Sequence, residues 1–294
     1  MSATSQQQSE VVASALSEIS HIATLPEITL RIIDLVEDPA STAQDLHDVI
    51  QNDPALCSRI LKVVNSSFYG LPGQIGSINR AIVLLGLNAV KNIAIAASLA
   101  KLFRGGDLTA NFSAKDLWMH SNATACGAKL LADHLKIGLG DEAFLSGLVH
   151  DIGIMVEMQF DRNRLIEVVE QLGMDSEGVP AIDMREVEIA VLGASHTDFG
   201  FGLCEKWKFP RTFAHATGYH HTPLELPQDQ RTLPALTYVA DRIAARSGFG
   251  CRVDLPSDEV SADVLDALKL TTDAIDKITE RVIEQMQEEG PAVG

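Results

Sequence analysis

Apolar residues recur along almost the whole chain at the three- and four-residue spacing that lines one face of an α-helix. No stretch alternates with the period of two that marks a half-buried strand. The spacing predicts helices over about residues 10–23, 26–37, 42–52, 54–65, 78–86 and 88–103. It resumes over about 113–136, 141–159, 161–172, 181–193, 196–207, 210–220 and 230–248, with a closing pair at 258–268 and 272–288. Residues 1–9 read as a frayed tail. Pro26 and Pro54 stand where a first helical turn tolerates them, the latter behind Asp53 as N-cap. The pattern breaks at Ser66-Ser67-Phe68-Tyr69-Gly70-Leu71-Pro72-Gly73 and again at 173–180, where Gly173, Gly178 and Pro180 mark loops. A third break, Arg104-Gly105-Gly106-Asp107 followed by Asn111, is taken as a lobe boundary. The expectation is an all-α chain in four parts: a tail and the start of the first helix at 1–19, an N-terminal helical lobe at 20–108, a larger helical lobe at 109–250, and an acidic helical extension at 251–294.

Composition narrows the partners. The 294 residues are 46% hydrophobic and 21% charged, which suits a packed globular chain and not a disordered one. A net charge of −17 argues against nucleic acid, whose phosphates need Lys and Arg to displace counterions, and against anionic lipid. The excess is densest over residues 254–289, which carry 11 acidic and 3 basic side chains. Leu265, Leu268, Ile275, Ile278 and Val282 form an inward stripe there, leaving the acids as a solvated face. The polar start MSATSQQQSE has neither the cationic nor the apolar region of a secretory leader. The longest apolar run, Ile93 to Leu102, contains Ser98 and Lys101 and is too short to span a bilayer. Cys57, Cys126, Cys204 and Cys251 are scattered without pairing, as reduced thiols of a cytoplasmic protein would be.

The chemistry lies in the histidines. His150 and Asp151 are adjacent in Gly147-Leu148-Val149-His150-Asp151-Ile152-Gly153, among apolar neighbours that bury them. If the chain bends there, imidazole and carboxylate reach the same point, and Gly153 permits close backbone approach. His120 lies thirty residues upstream on a helix with Trp118. His196 stands near a helix start, His220 and His221 end a helix, and Asp241 interrupts the apolar stretch Leu236 to Ala240. Each alone reads as a hydrogen-bonded core residue or a helix-end charge. Together they are the ligand types from which a buried Fe, Mn or Zn site in a helical bundle is built.

The order His120…His150-Asp151…His196…His220-His221…Asp241 resembles the metal-dependent phosphohydrolase superfamily named for its HD motif. From about residue 20 to 245 the chain is similar to the HDOD family, the HD-related output domain of bacterial signalling proteins. Leu25-Pro26-Glu27, Ile50-Gln51-Asn52-Asp53-Pro54-Ala55-Leu56 and Ser77-Ile78-Asn79-Arg80-Ala81-Ile82 carry the likeness in the first lobe. Leu117-Trp118-Met119-His120-Ser121, the HD segment and Trp207-Lys208-Phe209-Pro210 carry it in the second. The resemblance implies an N-terminal helical lobe packed on an HD-type bundle that holds one or two divalent cations (Fe, Mn, Zn or Mg). It implies His120, His150, Asp151 and Asp241 as ligands of a first metal and His196 with His220 or His221 as ligands of a second. Asp151 is then both the metal-bridging carboxylate and the catalytic position.

Departures pull against catalysis. HD-GYP phosphodiesterases, which cleave cyclic di-GMP, have a Lys where this chain has Ile154, and their GYP segment is replaced by Thr222-Pro223-Leu224-Glu225. Asp116 stands where some of those enzymes have a ligating Glu. It is either a shorter ligand or orienter of His120, one helical turn away, or a first-turn carboxylate. Two functions follow. One is an output protein working through contacts with other signalling proteins, with self-association left open. The other is a metal-dependent phosphohydrolase of a nucleotide or other phosphoester. The bases nearest the motif, Lys115, Lys129 and Arg242, are few for a polyanion, which favours the first. The Phe68-Tyr69-Gly70 loop reads equally as a partner surface or as a plug between lobes.

Overall fold

The computed structural model describes residues 3–19, 25–66, 68–100, 102–103, 107–109 and 112–289. The chain runs α1 (Ala3–Glu18), α2 (Glu27–Glu37), α3 (Ala43–Ile50), α4 (Pro54–Val64), α5 (Ile78–Leu85) and α6 (Leu87–Leu99). A minimal antiparallel pair, β1 (Asp107–Thr109) with β2 (Phe112–Ser113), leads into α7 (Ala114–Leu135). Then follow α8 (Gly140–Val149), α9 (Ile152–Phe160), α10 (Arg162–Gln171), α11 (Met184–Leu192), α12 (His196–Lys206) and α13 (Arg211–Tyr219). A 3₁₀ turn at Pro223–Glu225 precedes α14 (Thr232–Ser247), α15 (Ala262–Leu268) and α16 (Thr272–Glu289). The all-α expectation holds, apart from the five residues of the strand pair, too short for any periodicity to register.

Helix starts are written in the sequence. Asp53 accepts a hydrogen bond from the Leu56 amide at 2.8 Å with Pro54 in the first turn, and Thr42 with Asp45 forms a reciprocal capping box. The same residue types cap α5, α7 and α12 through Ser77, Ser113 and Ser195. Ser113 also settles the two readings of Asp116. The carboxylate accepts from the Ser113 hydroxyl at 2.6 Å while its own amide donates back to that hydroxyl, so it is a first-turn carboxylate bound to the Ser113 cap and not to His120.

The helices before and after the strand pair share one core. α6 is buried all round from Ala89 to Leu99, Lys91, Asn92 and Ser98 included, and packs on α2, α4 and α8. Its single buried cation, Lys91, is taken up by the Leu35 carbonyl and the Ser41 hydroxyl. Phe68 meets Phe144 edge-on with ring centroids 6.0 Å apart, and the Tyr69 hydroxyl donates to Asp141 at 3.2 Å. That loop is therefore a plug between the lobes and not a free surface. Ser67 within it, and Arg104, Gly105, Gly106 and Asn111 of the expected lobe boundary, lie outside the described residues.

The first helix departs from expectation at its start. It begins at Ala3, so residues 3–9 are helical, and it lies on α12 and α9, away from the N-terminal lobe. Val12, Ala15, Leu16 and Ile19, spaced three and four apart, supply the docking face. Gly202 receives it: a Cβ there would come 2.6 Å from Val12 Cγ1. The polar residues before Val11 extend a helix already nucleated by that docking, which costs little. On α16, Ile275, Ile278 and Val282 are buried against α14 and α7 as the stripe predicts, with Asp273, Asp276, Glu280 and Glu284 facing outward. Among the described residues no helix is long and apolar enough to cross a membrane.

Candidate metal centre

The segment 141–159 reads as one helix from periodicity, but the structure breaks it at the motif. α8 stops at Val149, α9 starts at Ile152, and His150 and Asp151 occupy the corner. Two glycines allow neighbouring backbones to close on that corner. A Cβ on Gly147 would lie 2.8 Å from the Ala125 Cα on α7, and a Cβ on Gly153 would lie 1.8 Å from the His196 carbonyl oxygen on α12. These contacts carry His120 to one side of Asp151 and His196 to the other.

Hydrogen bonds donated by Nδ1 fix which nitrogen each ring offers. The His150 Nδ1–H donates to the Gly147 carbonyl at 2.7 Å, and the His220 Nδ1–H to the Thr217 carbonyl at 2.9 Å. The His196 Nδ1–H donates to the Glu188 carboxylate at 2.9 Å, which also accepts the His196 amide at 2.8 Å. In all three the Nε2 atom is left for the interior.

These Nε2 atoms converge on Asp151. Its Oδ2 lies 3.2 Å from His150 Nε2 and 3.9 Å from His120 Nε2, while Oδ1 lies 3.4 Å from His220 Nε2 and 3.8 Å from His196 Nε2. Asp241 Oδ1 is 3.0 Å from His120 Nε2 and 3.9 Å from His150 Nε2. His221 Nε2 is 3.1 Å from His196 Nε2. All seven residues expected from the sequence thus meet in one place, and the most accessible side chain, His221, is 4% exposed.

The sequence reading missed three acids here. Glu188 holds His196, and it is fully buried on the inner face of α11 with Met184, Val187 and Leu192. A charge on an apolar stripe was the available signal. Glu157, inside Met155-Val156-Glu157-Met158, is buried beside Glu188 in the same way. Asp254 is the more consequential omission. It belongs by number to the acidic extension, yet it is 2% exposed with Oδ2 3.5 Å from His221 Nε2. Val253 and Leu255 on either side were its only sign.

Burial and mutual charge set the protonation states. Burial opposes charge on His150, but Asp151 and Asp241 outweigh it and raise the imidazole to about 9. Burial is likewise overcome at His196, where Glu188 and Asp151 raise the ring to about 9. Burial dominates at His220, lowered to about 4, and at His221, lowered well below its ordinary value. Asp151, despite its burial, is held well below the usual carboxylate range by His150 and His220. Burial and the charges of Asp241 and Asp151 raise Asp254 to about 7.

Several of these atoms have no hydrogen-bond partner: His150 Nε2, His220 Nε2, Asp151 Oδ1, Asp241 Oδ2 and Asp254 Oδ2. Unpaired buried polar atoms are costly, and these all belong to one cluster of nitrogen and carboxylate donors. Ligand atoms within each of the sets His120/His150/Asp241 and His196/His220/His221 lie within 4.8 Å of one another. The Nε2–Nε2 separation of His196 and His221 approaches the roughly 3.3 Å between two nitrogens on a tetrahedral cation with bonds of 2.0–2.1 Å. The residues fit a divalent cation.

The HDOD domain family profile matches residues 22–223. The chain belongs to the HDOD family. This HDOD chain resembles an HDOD domain protein of unknown function from Geobacter sulfurreducens, with 23% identity, a TM-score of 0.79, and coverage of 98% of this chain and 97% of that one. It also resembles a protein from Shewanella amazonensis named "putative phosphohydrolase", at 22% identity and a TM-score of 0.73, covering 97% of this chain and 98% of that one. Both likenesses speak for the fold. An uncharacterized protein of Treponema pallidum is 24% identical over 231 residues, which is 77% of this chain and 43% of that relative. The HDOD chain thus spans less than half the length of that relative. Asp241 and Asp254 both lie beyond the family match.

Proposed function

We propose that the chain is an HDOD-type signalling output protein whose second lobe is organised around one or two divalent cations and which acts on other signalling proteins through helical contacts. The observation that carries the reading is the convergence of His120, His150, His196, His220, His221 and Asp241 on Asp151. His120, His150, Asp151 and Asp241 would hold one cation, and His196, His220 and His221 a second, with Asp151 offering an oxygen to each side. The mixed imidazole and carboxylate set suits Fe, Mn or Zn better than Mg. The N-terminal lobe supports a role in contacts. No side chain of α2 to α6 enters the cluster, yet α6 packs along α8, the helix that ends on His150.

A second reading, metal-dependent phosphohydrolysis, is favoured by one observation. A cleft of about 470 Å³ reaches His221 and Asp254 and has Arg185 and Arg242 in its wall. Cations at the centre would supply charge neutralisation on phosphoryl oxygens and an activated water. Both arginines are committed elsewhere, however. Arg185 is paired with Asp183 at 2.6 Å, and Arg242 donates to the Glu259 and Tyr238 carbonyls while stacking on the Tyr238 ring. Little cationic donor capacity is left for a polyanion. Elemental analysis of the purified chain beside a phosphodiesterase assay with Mn²⁺ or Fe²⁺ separates the readings. Bound metal without turnover is expected. Turnover that vanishes in Asp151→Ala supports the hydrolase instead, and absence of both metal and turnover overturns the two together.

Metal uptake should depend on pH. His150 and His196 are protonated up to about 9 in the metal-free chain, and a cation needs their lone pairs. Apparent affinity is expected to rise from pH 6 to about 9 and then level off. Calorimetry at pH 7 in two buffers of different ionisation enthalpy should show release of at least about two protons per chain, since His120 and Asp254 are also raised. Binding that is flat across this range would contradict these assignments.

A further inference from the structure

We propose that Asp254 is a ligand of the same centre, delivered by the segment between α14 and α15 and reaching both halves of the cluster. This rests on the metal-centre reading above. Its ligand atom falls within 4.8 Å of those of His120 and Asp151 in one grouping, and of His221 and Asp241 in another. Asp151 and Asp241 are grouped with both sides of the cluster in the same way, so Asp254 shares the placement of the two expected carboxylate ligands. Asp254 is 2% exposed, its Oδ2 has no hydrogen-bond partner, and the contact to His221 Nε2 at 3.5 Å is too long to count as one.

The segment is built to put it there. The chain leaves α14 through Gly248 and turns at Gly250, whose φ is +82°. A Cβ on Gly250 would stand 2.4 Å from the Asp116 carbonyl oxygen and 2.4 Å from the His120 amide nitrogen, so the segment's backbone lies directly on α7 beside a predicted ligand. A tight turn closed by the Leu255 amide on the Arg252 carbonyl, at 3.1 Å, then presents Asp254, with Val253 and Leu255 buried on either side. The turn carries a third carboxylate into a pocket that already holds Asp151 and Asp241. The nearby arginines do not answer it, because Arg185 and Arg242 are engaged with Asp183, Tyr238 and Glu259. Buried carboxylates are otherwise paired or on a metal.

The test uses the full chain, stripped with a chelator and reloaded with Mn²⁺ alone. Asp254→Asn keeps the shape and removes the charge. It is expected to weaken Mn²⁺ binding by at least about 10-fold, the lower end of what losing even an outer-shell partner costs, and to shrink the metal-induced rise in Tm. Asp258→Asn, four residues further along the same segment and facing Arg246, should match wild type in both. A second variant reads contact directly. Asp254→Cys loaded with Co²⁺ should gain a thiolate-to-cobalt charge-transfer band absent from loaded wild type and from Asp258→Cys, since a coordinating thiol is deprotonated. Wild-type Mn²⁺ affinity in Asp254→Asn, or a cobalt-loaded Asp254→Cys without the band, overturns this proposal alone. A wild-type chain that takes up neither Mn²⁺ nor Co²⁺ overturns it together with the metal-centre reading.

Discussion

Replacing Gly153 by alanine is expected to unfold the second lobe, with a loss above about 4 kcal/mol, beyond the range of ordinary substitutions. The added Cβ would sit 1.8 Å from the His196 carbonyl oxygen, 2.7 Å from its carbon and 2.8 Å from the Gly200 amide nitrogen. Every one of these atoms is backbone, so no side chain can rotate away. Relief requires α9 and α12 to separate by roughly 1.5 Å to reach ordinary contact distance, and the seam between them is packed with Phe199, Leu203 and Val156, all fully buried. Separation would also withdraw His196 from Asp151 and from His221. Chemical denaturation of Gly153→Ala against wild type gives the magnitude. Gly76→Ala is the control, because its Cβ meets nothing within 4 Å, and it should unfold within about 1 kcal/mol of wild type. A Gly153→Ala chain that unfolds cooperatively within that same margin would contradict the backbone contact.

Most helices and the Asp53 cap were legible for local reasons, and the seven converging side chains through their order along the chain and the resemblance it carries. A 3.6-residue apolar period and Ser, Thr or Asp ahead of it mark a helix without reference to the rest of the chain, and α4 behind Asp53 is an instance. The HD corner was less legible. Leu145, Leu148, Val149, Ile152 and Ile154 are buried on both sides of it, so the apolar pattern runs straight through a break that no proline or positive-φ glycine announces. Asp254 and Glu188 carried only a faint mark in the sequence, an acid set among apolar neighbours. Each is a common surface acid by type, and only tertiary packing turns it inward. The same packing put α1 on the second lobe, where Val12 finds Gly202, a pairing separated by most of the chain. The charge tally, read as a solvated acidic face over residues 254–289, holds for α16 and fails at its first member.

Asp151→Asn is expected to do the most damage to the centre while leaving the fold recognisable. The carboxylate faces His150 and His120 with one oxygen and His220 and His196 with the other. If it is shared by two cations, both lose a ligand at once, and Mn²⁺ retention after gel filtration should fall by more than about a hundredfold, beyond the usual cost of disturbing an outer-shell partner. The metal-free chain should weaken too, because a fully buried His150 loses the anion that keeps it charged, at about 3–5 kcal/mol for a broken buried pair. That loss has a pH signature. His150 is raised to about 9 in the folded chain from an ordinary 6.5, so its contribution is complete below about 6.5 and fades as pH rises through 9. Asp151 is lowered from 3.8, so the same contribution also fades as pH falls below that value. The difference in unfolding free energy between wild type and Asp151→Asn should therefore be largest near pH 5–6 and shrink towards pH 9. Urea titrations at pH 6, 7.5 and 9 measure it. A difference that is constant, or grows with pH, would mean that His150 is neutral beside Asp151 and that the polar core is held by something other than this charge pair.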